Sequence, residues 1–492
     1  MNTAQMYDAQ ADSINIEDIA SNENNRLMLN RMKRNDPEDN DKLWIHSQHD
    51  ENGEDCEDYV PEGTNDMGWL GYFIGRNKQL KQLGFISPTP PSGTSIAEVL
   101  EPLLMGLNHN KSITRLDFEC MNLLGGRMFT MMNHFFENGP LVNLNIYDCH
   151  LGDDGWRLLA LAIGSSKNKS LKTLSLRSCN ISDEASVDII TSMSIHPHLE
   201  ELELSGTHIN TKGCKALATL LRNSVTELRD LDLGDNEIDD EGVDALIPTL
   251  KSRSHLETLI LSRNGSITSK GWQHLASLLE APNCNLTTLG LVVNWNSNVV
   301  NDEVVTALAN ALVNNYKLTT LGIQNYSNPS ITDEGWKAIS ELLCDTSSIN
   351  STYLSNHTLQ RLGITSSTNP LQHLFNLNKR EDTKEVAMIK ILQHHNDINM
   401  TPFFEWEFKV LPLIINWFEK ASSIGMPSNS QLNIGPRKLS SIYQFVRGMP
   451  LLYVETILRK ELEDIKVAQA QMKEAMRLNE ERKRIIMEKL GR

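Results

Sequence analysis

Four lines of this 492-residue chain decide its fold: LVNLNIYDCHL from Leu141, LKTLSLRSCNI from Leu171, LEELELSGTHI from Leu199 and LRDLDLGDNEI from Leu228. Laid over one another they give a single pattern, L-x-x-L-x-L-x-x-N/C-x-L. The same frame begins at Ile113, Leu256, Leu286 and Leu318, with starts 28 to 32 residues apart, and degenerate copies begin at Leu80 and Leu359. Alternation within each line predicts a short strand whose leucines share one face. The Asn or Cys of the pattern (Asn236, Asn264, Asn294, Cys149, Cys179) is expected to be buried where the chain turns, and there it must satisfy backbone groups of the turn. Asn can do this well; Cys does it weakly and mainly fills space.

After each line comes a helical phrase, as in DDGWRLLALAIGSS from Asp153, TKGCKALATLLRNS from Thr211, DEGVDALIPTLKSR from Asp240, SKGWQHLASLLEAP from Ser269 and DEGWKAISELLCD from Asp333. Acids or Ser/Thr open the phrase and apolar residues follow at helical spacing. Helices are about twice as wide as the spacing of paired strands, so stacked strand–helix units have to curve. The expected fold is therefore α/β: a horseshoe with parallel strands on the concave face, helices on the convex face, and a helical C-terminal region. Trp156, Trp272 and Trp336 each follow the helix-opening Gly and are expected to pack between neighbouring helices.

Repeats of this length, with Gly opening the outer helix, resemble the ribonuclease-inhibitor-like subclass of leucine-rich-repeat proteins, and the resemblance covers about three fifths of the chain. That subclass includes ribonuclease inhibitor, tropomodulin, Ran GTPase-activating proteins and the sensing ends of nucleotide-binding immune receptors, so it implies a fold and leaves the function open. MGWLGYFIGRNKQLKQLGF from Met67, SSINSTYLSNHTLQRL from Ser347 and FFEWEFKVLPLIINWF from Phe403 are also similar to a group of algal, especially diatom, leucine-rich-repeat proteins, a likeness that implies no particular activity.

An open array needs caps at both ends. Residues 1–22 read as a disordered acidic N-terminus and residues 23–79 as an N-terminal cap with a helix (26–36), a strand (42–47) and an acidic loop. Repeats fill residues 80–375. Residues 376–457 read as a helical C-terminal cap from TKEVAMIKILQHHN, FFEWEFKVLPLIINWFEKA and PRKLSSIYQFVRGM, with Phe403, Phe404, Trp406, Phe408, Trp417 and Phe418 packed inside. Residues 458–492 form a charged helix in which Leu458, Leu462, Ile465, Met472, Met476, Ile486 and Leu490 share a heptad frame interrupted by Gln469, Asn479 and Lys483. A single solvated helix and self-association through a coiled coil are both open there.

Composition narrows the function. The formal charge is −17, and the first 66 residues hold many acids against five Lys or Arg. An acidic chain without a basic block repels phosphate backbones, which argues against nucleic acid as the ligand. No stretch has the length to cross a bilayer, and MNTAQMYDAQADS has no basic region followed by an apolar run, so a cytoplasmic protein is expected, with a nuclear one left open. The seven cysteines, an odd number mostly placed by the repeat, fit reduced thiols. No phosphate-binding G-x-x-x-x-G-K-[ST] loop, G-x-S-x-G elbow or H-E-x-x-H helix occurs, and no cofactor or catalytic residue is indicated. His46, His49 and Cys56 sit in an acidic stretch without the fixed spacing of a zinc site.

Strand residues that do not point inward should face the hollow of the horseshoe. By alternation these are Asp148, Glu201, Glu203, Asp230, Asp232 and Asp235, flanked by Arg177 and Arg263, and later Ile260, Val292, Val293, Gln324 and Asn325. The surface passes from acidic to neutral and apolar, which suits a protein partner carrying a basic patch. The expected function is a non-catalytic interaction scaffold that binds a protein through its concave face. Two alternatives stay open: a GTPase activator or regulator of the Ran type, for which Arg127 and Arg177 are only arginines near early repeats, and a ubiquitin-ligase substrate adaptor.

Overall fold

The computed structural model describes residues 3–35, 41–46, 58–87, 95–122, 127–167, 169–222, 227–252, 255–291, 300–323, 331–363, 371–395 and 451–489. It divides into two units, Met1–Leu343 with Asn356–Lys379, and Cys344–Ser355 with Arg380–Arg492.

The first unit is an open array built on one parallel sheet. Its strands are β1 (Lys42–His46), β2 (Asp58–Tyr59), β3 (Gln82–Ile86), β4 (Arg115–Glu119), β5 (Asn143–Tyr147), β6 (Thr173–Arg177), β7 (Glu201–Glu203), β8 (Asp230–Asp232), β9 (Thr258–Ile260), β10 (Thr288–Gly290) and β11 (Thr320–Gly322). They lie in the order β2-β1-β3, then β4 to β11 in sequence. Each frame from Leu80 to Leu318 supplies one strand, and the Leu359 frame adds a single bridge from Arg361 to Thr320. The central leucines Leu144, Leu174, Leu202, Leu231, Leu259, Leu289 and Leu321 are fully buried. Helices such as Gly152–Gly164, Thr211–Arg222, Asp240–Ser252 and Asp333–Leu343 return the chain between strands.

Where the ninth residue of a line is Asn or Cys, it stitches one repeat to the one before. The Asn236 amide donates to the Leu204 and Gly234 carbonyls at 2.7 and 3.1 Å, while its oxygen accepts from the Thr207 and Ile209 N–H groups at 3.0 and 2.9 Å. Asn264 repeats the pattern with Leu233, Leu261 and the Ile238 N–H. Where Cys stands instead the bonds are longer: Cys179 Sγ donates to the Ile146 and Arg177 carbonyls at 3.7 and 3.3 Å. Burial pushes the Cys149 thiol up to about 12 and the Cys179 thiol up to about 11, so both stay protonated.

The residue before it turns the chain out of the strand through the left-handed region: Cys120, Asp148, Ser178, Gly206, Asp235 and Arg263 have φ of 53°, 50°, 53°, 67°, 54° and 61°. In this conformation the N–H of Asp148 still reaches the Arg177 carbonyl of the next repeat, and that of Asp235 reaches Ser262, each within 2.9 Å.

The helix side has its own staple, which explains the Gly that opens two of the helical phrases. The Asp240 carboxylate accepts from the Thr268 N–H and hydroxyl and from the Gly271 N–H at 2.8, 2.6 and 3.1 Å. Asp302 does the same for Thr332 and Gly335. A Cβ on Gly271 would lie 2.3 Å from Asp240 Oδ1, and one on Gly335 2.5 Å from Asp302 Oδ1, so no larger residue fits without breaking the staple. Trp156 and Trp272 are fully buried, whereas Trp336 is partly exposed.

Three expectations change. Residues 1–22, expected to be disordered, contain the helix Thr3–Gln10, and Ile16, Ile19 and Ala20 are buried. The reason is a specific contact that the acidic composition hid: the Tyr7 ring meets Trp69 edge-on at 4.7 Å, and Asp8 pairs with Arg76 at 2.6 Å on the helix Thr64–Arg76. Secondly, residues 344–355, assigned above to the repeats, group with the C-terminal unit; there the Thr352 hydroxyl meets the His395 ring at 2.8 Å. Thirdly, the helix Gln372–Asn378 stays with the first unit, where the Asn378 amide donates to the Asn356 and Leu359 carbonyls, so that unit runs past residue 375 to Lys379. In the second unit Thr383–His394 is helical, as the sequence predicts, and one helix spans Leu451–Lys489. The aromatic segment 403–418 lies outside the described residues.

Because Asn236 serves two donors and two acceptors from within the core, Asn236→Ala is expected to cost about 2 kcal/mol of unfolding free energy. Cys179→Ala, which removes only weak bonds and little volume, should cost about 1 kcal/mol or less. Urea unfolding of both variants beside the parent protein checks the order.

Candidate functional site

In each line the third, fifth and seventh residues face away from the buried leucines, and parallel register stacks them into rows across the concave face. One row runs Gln82, Arg115, Asn143, Thr173, Glu201, Asp230, Thr258, Thr288 and Thr320; its neighbour runs Trp44, Gly84, Asp117, Asn145, Ser175, Glu203, Asp232, Ile260, Gly290 and Gly322. Three zones of different chemistry follow from these rows.

The first zone is polar and internally satisfied. Asp117 is only 2% exposed and accepts from Gln82 Nε2 at 2.8 Å, Arg115 Nε at 3.0 Å and Asn145 Nδ2 at 2.6 Å. Beside it the Trp44 indole lies over Gly84, where a Cβ would stand 2.0 Å from the ring. Tyr147, next to this cluster, is 48% exposed.

The second zone is a square of four carboxylates. Glu201 pairs in register with Asp230, and Glu203 with Asp232, on the adjacent strands β7 and β8. Glu203 accepts from the Ser175 hydroxyl at 2.6 Å and is held by the Arg177 guanidinium, which lies against the square. Among the described residues Glu201 accepts from the Thr173 hydroxyl at 3.2 Å, and Asp232 accepts from the Gly234 N–H at 2.8 Å. Burial raises the carboxyl of Glu201 above its ordinary range, with the Glu203 and Asp230 charges adding to the rise. The Asp232 carboxyl is raised by burial and by Glu203 as well. Among the described residues, Arg177 is the arginine paired with this group of four acids.

The third zone is uncharged: Thr258, Ile260, Thr288, Gly290, Thr320 and Gly322. The Ile260 side chain folds over Gly290, with Cδ1 2.8 Å from where a Cβ would be. Val292, Val293, Gln324 and Asn325 lie outside the described residues, as do Asn294, His49 and Cys56.

Among the site residues expected from the sequence, the structure brings together Arg177, Glu201, Glu203, Asp230, Asp232 and Ile260 on the strands. It places Asp148, Asp235 and Arg263 elsewhere: they occupy the left-handed eighth positions, at the rim where the strands end, and not on the strand rows. Alternation fails one residue too late for them because the backbone has already left the β region. At that rim Arg263 stands 3.9 Å from Asp235. Arg127, 77% exposed in its side chain, belongs to the outer helix Arg127–Met131 near Glu101 at 4.0 Å, so Arg127 and Arg177 do not converge. His46 pairs with Asp58 at 3.3 Å in the cap. The Asp117 cluster and Trp44 were missed in the sequence, although the place of Asp117 as fifth residue of the Ile113 frame and of Trp44 at the centre of β1 could have found them.

A family model described as Leucine Rich repeat matches residues 167–185, 196–218, 226–246 and 253–276, the centre of this array. The mouse protein "NACHT, LRR and PYD domains-containing protein 5" is 29% identical over 56% of this chain and 23% of its own length. Pig ribonuclease inhibitor is 30% identical over 33% of this chain and 36% of its own length. The "Protein phosphatase 1 regulatory subunit 37 homolog" of Caenorhabditis briggsae is 26% identical over 49% of this chain and 27% of its own length. The chain thus spans little more than a third, at most, of each of these relatives. An open stack of strand–helix repeats on one parallel sheet, stitched at the ninth position, defines a solenoid of the leucine-rich-repeat class. The chain is a leucine-rich-repeat protein of the ribonuclease-inhibitor-like type.

The raised carboxyls make a prediction about stability. A carboxyl whose folded pKa lies above its unfolded value destabilises the fold at pH values above both, and the penalty is relieved as the pH falls through the folded value. Glu201→Gln with Asp232→Asn is therefore expected to raise unfolding free energy at neutral pH by up to about 1 kcal/mol, the scale of a cross-strand charge pair. Asp302, lowered by its bonds to Thr332 and Gly335, behaves in the opposite sense: its contribution is present above the unfolded carboxyl value and is lost as the pH falls through the folded one. Denaturant midpoints at neutral and mildly acidic pH measure both, and the gain from the double variant should shrink in acid.

Proposed function

We propose that the chain is a non-catalytic scaffold that holds a protein partner on the concave face, with the carboxylate square receiving a Lys- or Arg-rich segment. The observation that carries this reading is the set of like charges paired in register across β7 and β8. Like charges directly opposite each other on neighbouring strands are unfavourable. Two of the four are further penalised by burial. A partner's cations turn that local cost into attraction, and the uncharged zone around Ile260, Thr288 and Gly290 supplies a drier surface alongside.

Extended concave surfaces are what repeat arrays use for binding. The relatives' names point the same way, an inhibitor of one enzyme and a regulatory subunit of another. Of the two other readings, GTPase regulation of the Ran type finds Arg177 engaged with Glu203 and Arg127 on an outer helix. On the adaptor reading, the helix Thr64–Arg76 and β1 are continuations of the repeat array.

The test is capture of partners from lysate with the intact protein and with a form carrying Glu201→Lys, Glu203→Lys, Asp230→Lys and Asp232→Lys, both shown to be folded by circular dichroism. The expected outcome is a partner that binds the intact protein and is missing from the reversed form. Identical partner sets would remove the concave acidic surface from the account.

A further inference from the structure

The helix Leu451–Lys489 runs for 39 residues, about 58 Å at the usual rise. Its heptad frame leaves apolar side chains in water: Leu462, Ile465, Met472 and Met476 are 52%, 49%, 71% and 66% exposed. Gln469, Asn479 and Lys483 share that frame and are exposed too. In the frame Leu462, Gln469, Met476 and Lys483 take the a positions, and Ile465, Met472, Asn479 and Ile486 the d positions.

What could cover this stripe can be asked of the pattern itself. If two copies of the helix align in parallel, each core position meets itself, so Lys483 faces Lys483 and Gln469 and Asn479 form separate polar layers. If they align antiparallel, a positions meet d positions. Centred near residue 474, that register sets Leu462 against Ile486, Gln469 against Asn479, and Met472 against Met476. The two polar interruptions then fall in the same layer, where two amides can bond to each other. Lys483 meets Ile465, over which its aliphatic stem can lie while the ammonium reaches water.

Charge favours the same direction. Residues 451–470 carry four acids and three bases, whereas residues 471–489 carry six bases and four acids. Antiparallel alignment puts halves of opposite net sign side by side. In the flanking positions it brings Lys466 to Glu480 and Glu461 to Lys489, each twice, against a single like pair at Lys473. Parallel alignment offers only Glu461 with Lys466 and keeps the lysine pair in the core.

We infer that this helix joins two copies of the chain as an antiparallel coiled coil centred near residue 474. This pairing stands independently of the concave site. The test uses the full chain. Sedimentation velocity over a concentration series should show a species of twice the 55.5 kDa chain mass. Leu462→Glu with Met476→Glu should hold the protein at monomer mass with its thermal unfolding unchanged, since both side chains are exposed.

Direction is read under mild oxidation with two proteins that each gain one cysteine on this helix, Met472→Cys and Met476→Cys, in a Cys56→Ser, Cys120→Ser background whose remaining cysteines are buried. Antiparallel pairing gives a disulfide-linked dimer when the two are mixed and little with either alone. Linkage of each variant to itself would overturn the register and favour a parallel pair. A chain that stays monomeric at high concentration, or a helix that binds a different protein in place of its copy, would overturn the pairing altogether.

Discussion

The buried asparagine at the ninth position of the central repeats is the constraint on which the rest of the first unit depends. A chain that leaves a strand and dives beneath its neighbour carries N–H and C=O groups into the core, and each must find a partner there. Asn236 and Asn264 meet that demand with bonds that reach back to the preceding repeat, to Leu204 and Leu233. Those bonds fix the left-handed residue just before them and the register of the strands on either side. The concave rows, and so the site, inherit their alignment from this ladder.

Once the rows are fixed, what stands on them is free to serve something other than folding. The contrast between Asp117 and Asp232 shows the difference. Asp117 is buried among three donors drawn from its own and the two adjacent repeats, and its charge is satisfied inside the protein. Asp232 and Glu201 face each other's neighbours with few donors, and burial with like charge raises both carboxyls. A fold selected for stability alone has simple alternatives at these positions, such as the threonines in the row of Glu201 at Thr258, Thr288 and Thr320, or the uncharged Ile260 and Gly290 in the row of Asp232.

Much of this was legible in the sequence because a period of two within a period near 29 leaves few interpretations. Every frame read from its leucines became a strand or a bridge. The same alternation identified Glu201, Glu203, Asp230 and Asp232 as concave, but it misplaced Asp148, Asp235 and Arg263, since it takes no account of the left-handed turn at the eighth position. The Asp117 cluster was hidden for a different reason: Gln82, Arg115 and Asn145 become its partners only through the register of three strands. Residues 1–22 were misjudged on composition, where two aromatic contacts and one ion pair outweighed a sparse apolar content.

The central claim is that the carboxylate square is kept for a cationic partner. Calorimetric titration of the parent protein and of a neutral form (Glu201→Gln, Glu203→Gln, Asp230→Asn, Asp232→Asn) with an arginine-rich peptide, at low and at high salt, tests it most directly. The account predicts binding to the parent that weakens steeply as salt screens the charges, and loss of most of that binding in the neutral form at either salt. Equal affinity for both forms, indifferent to salt, would contradict it.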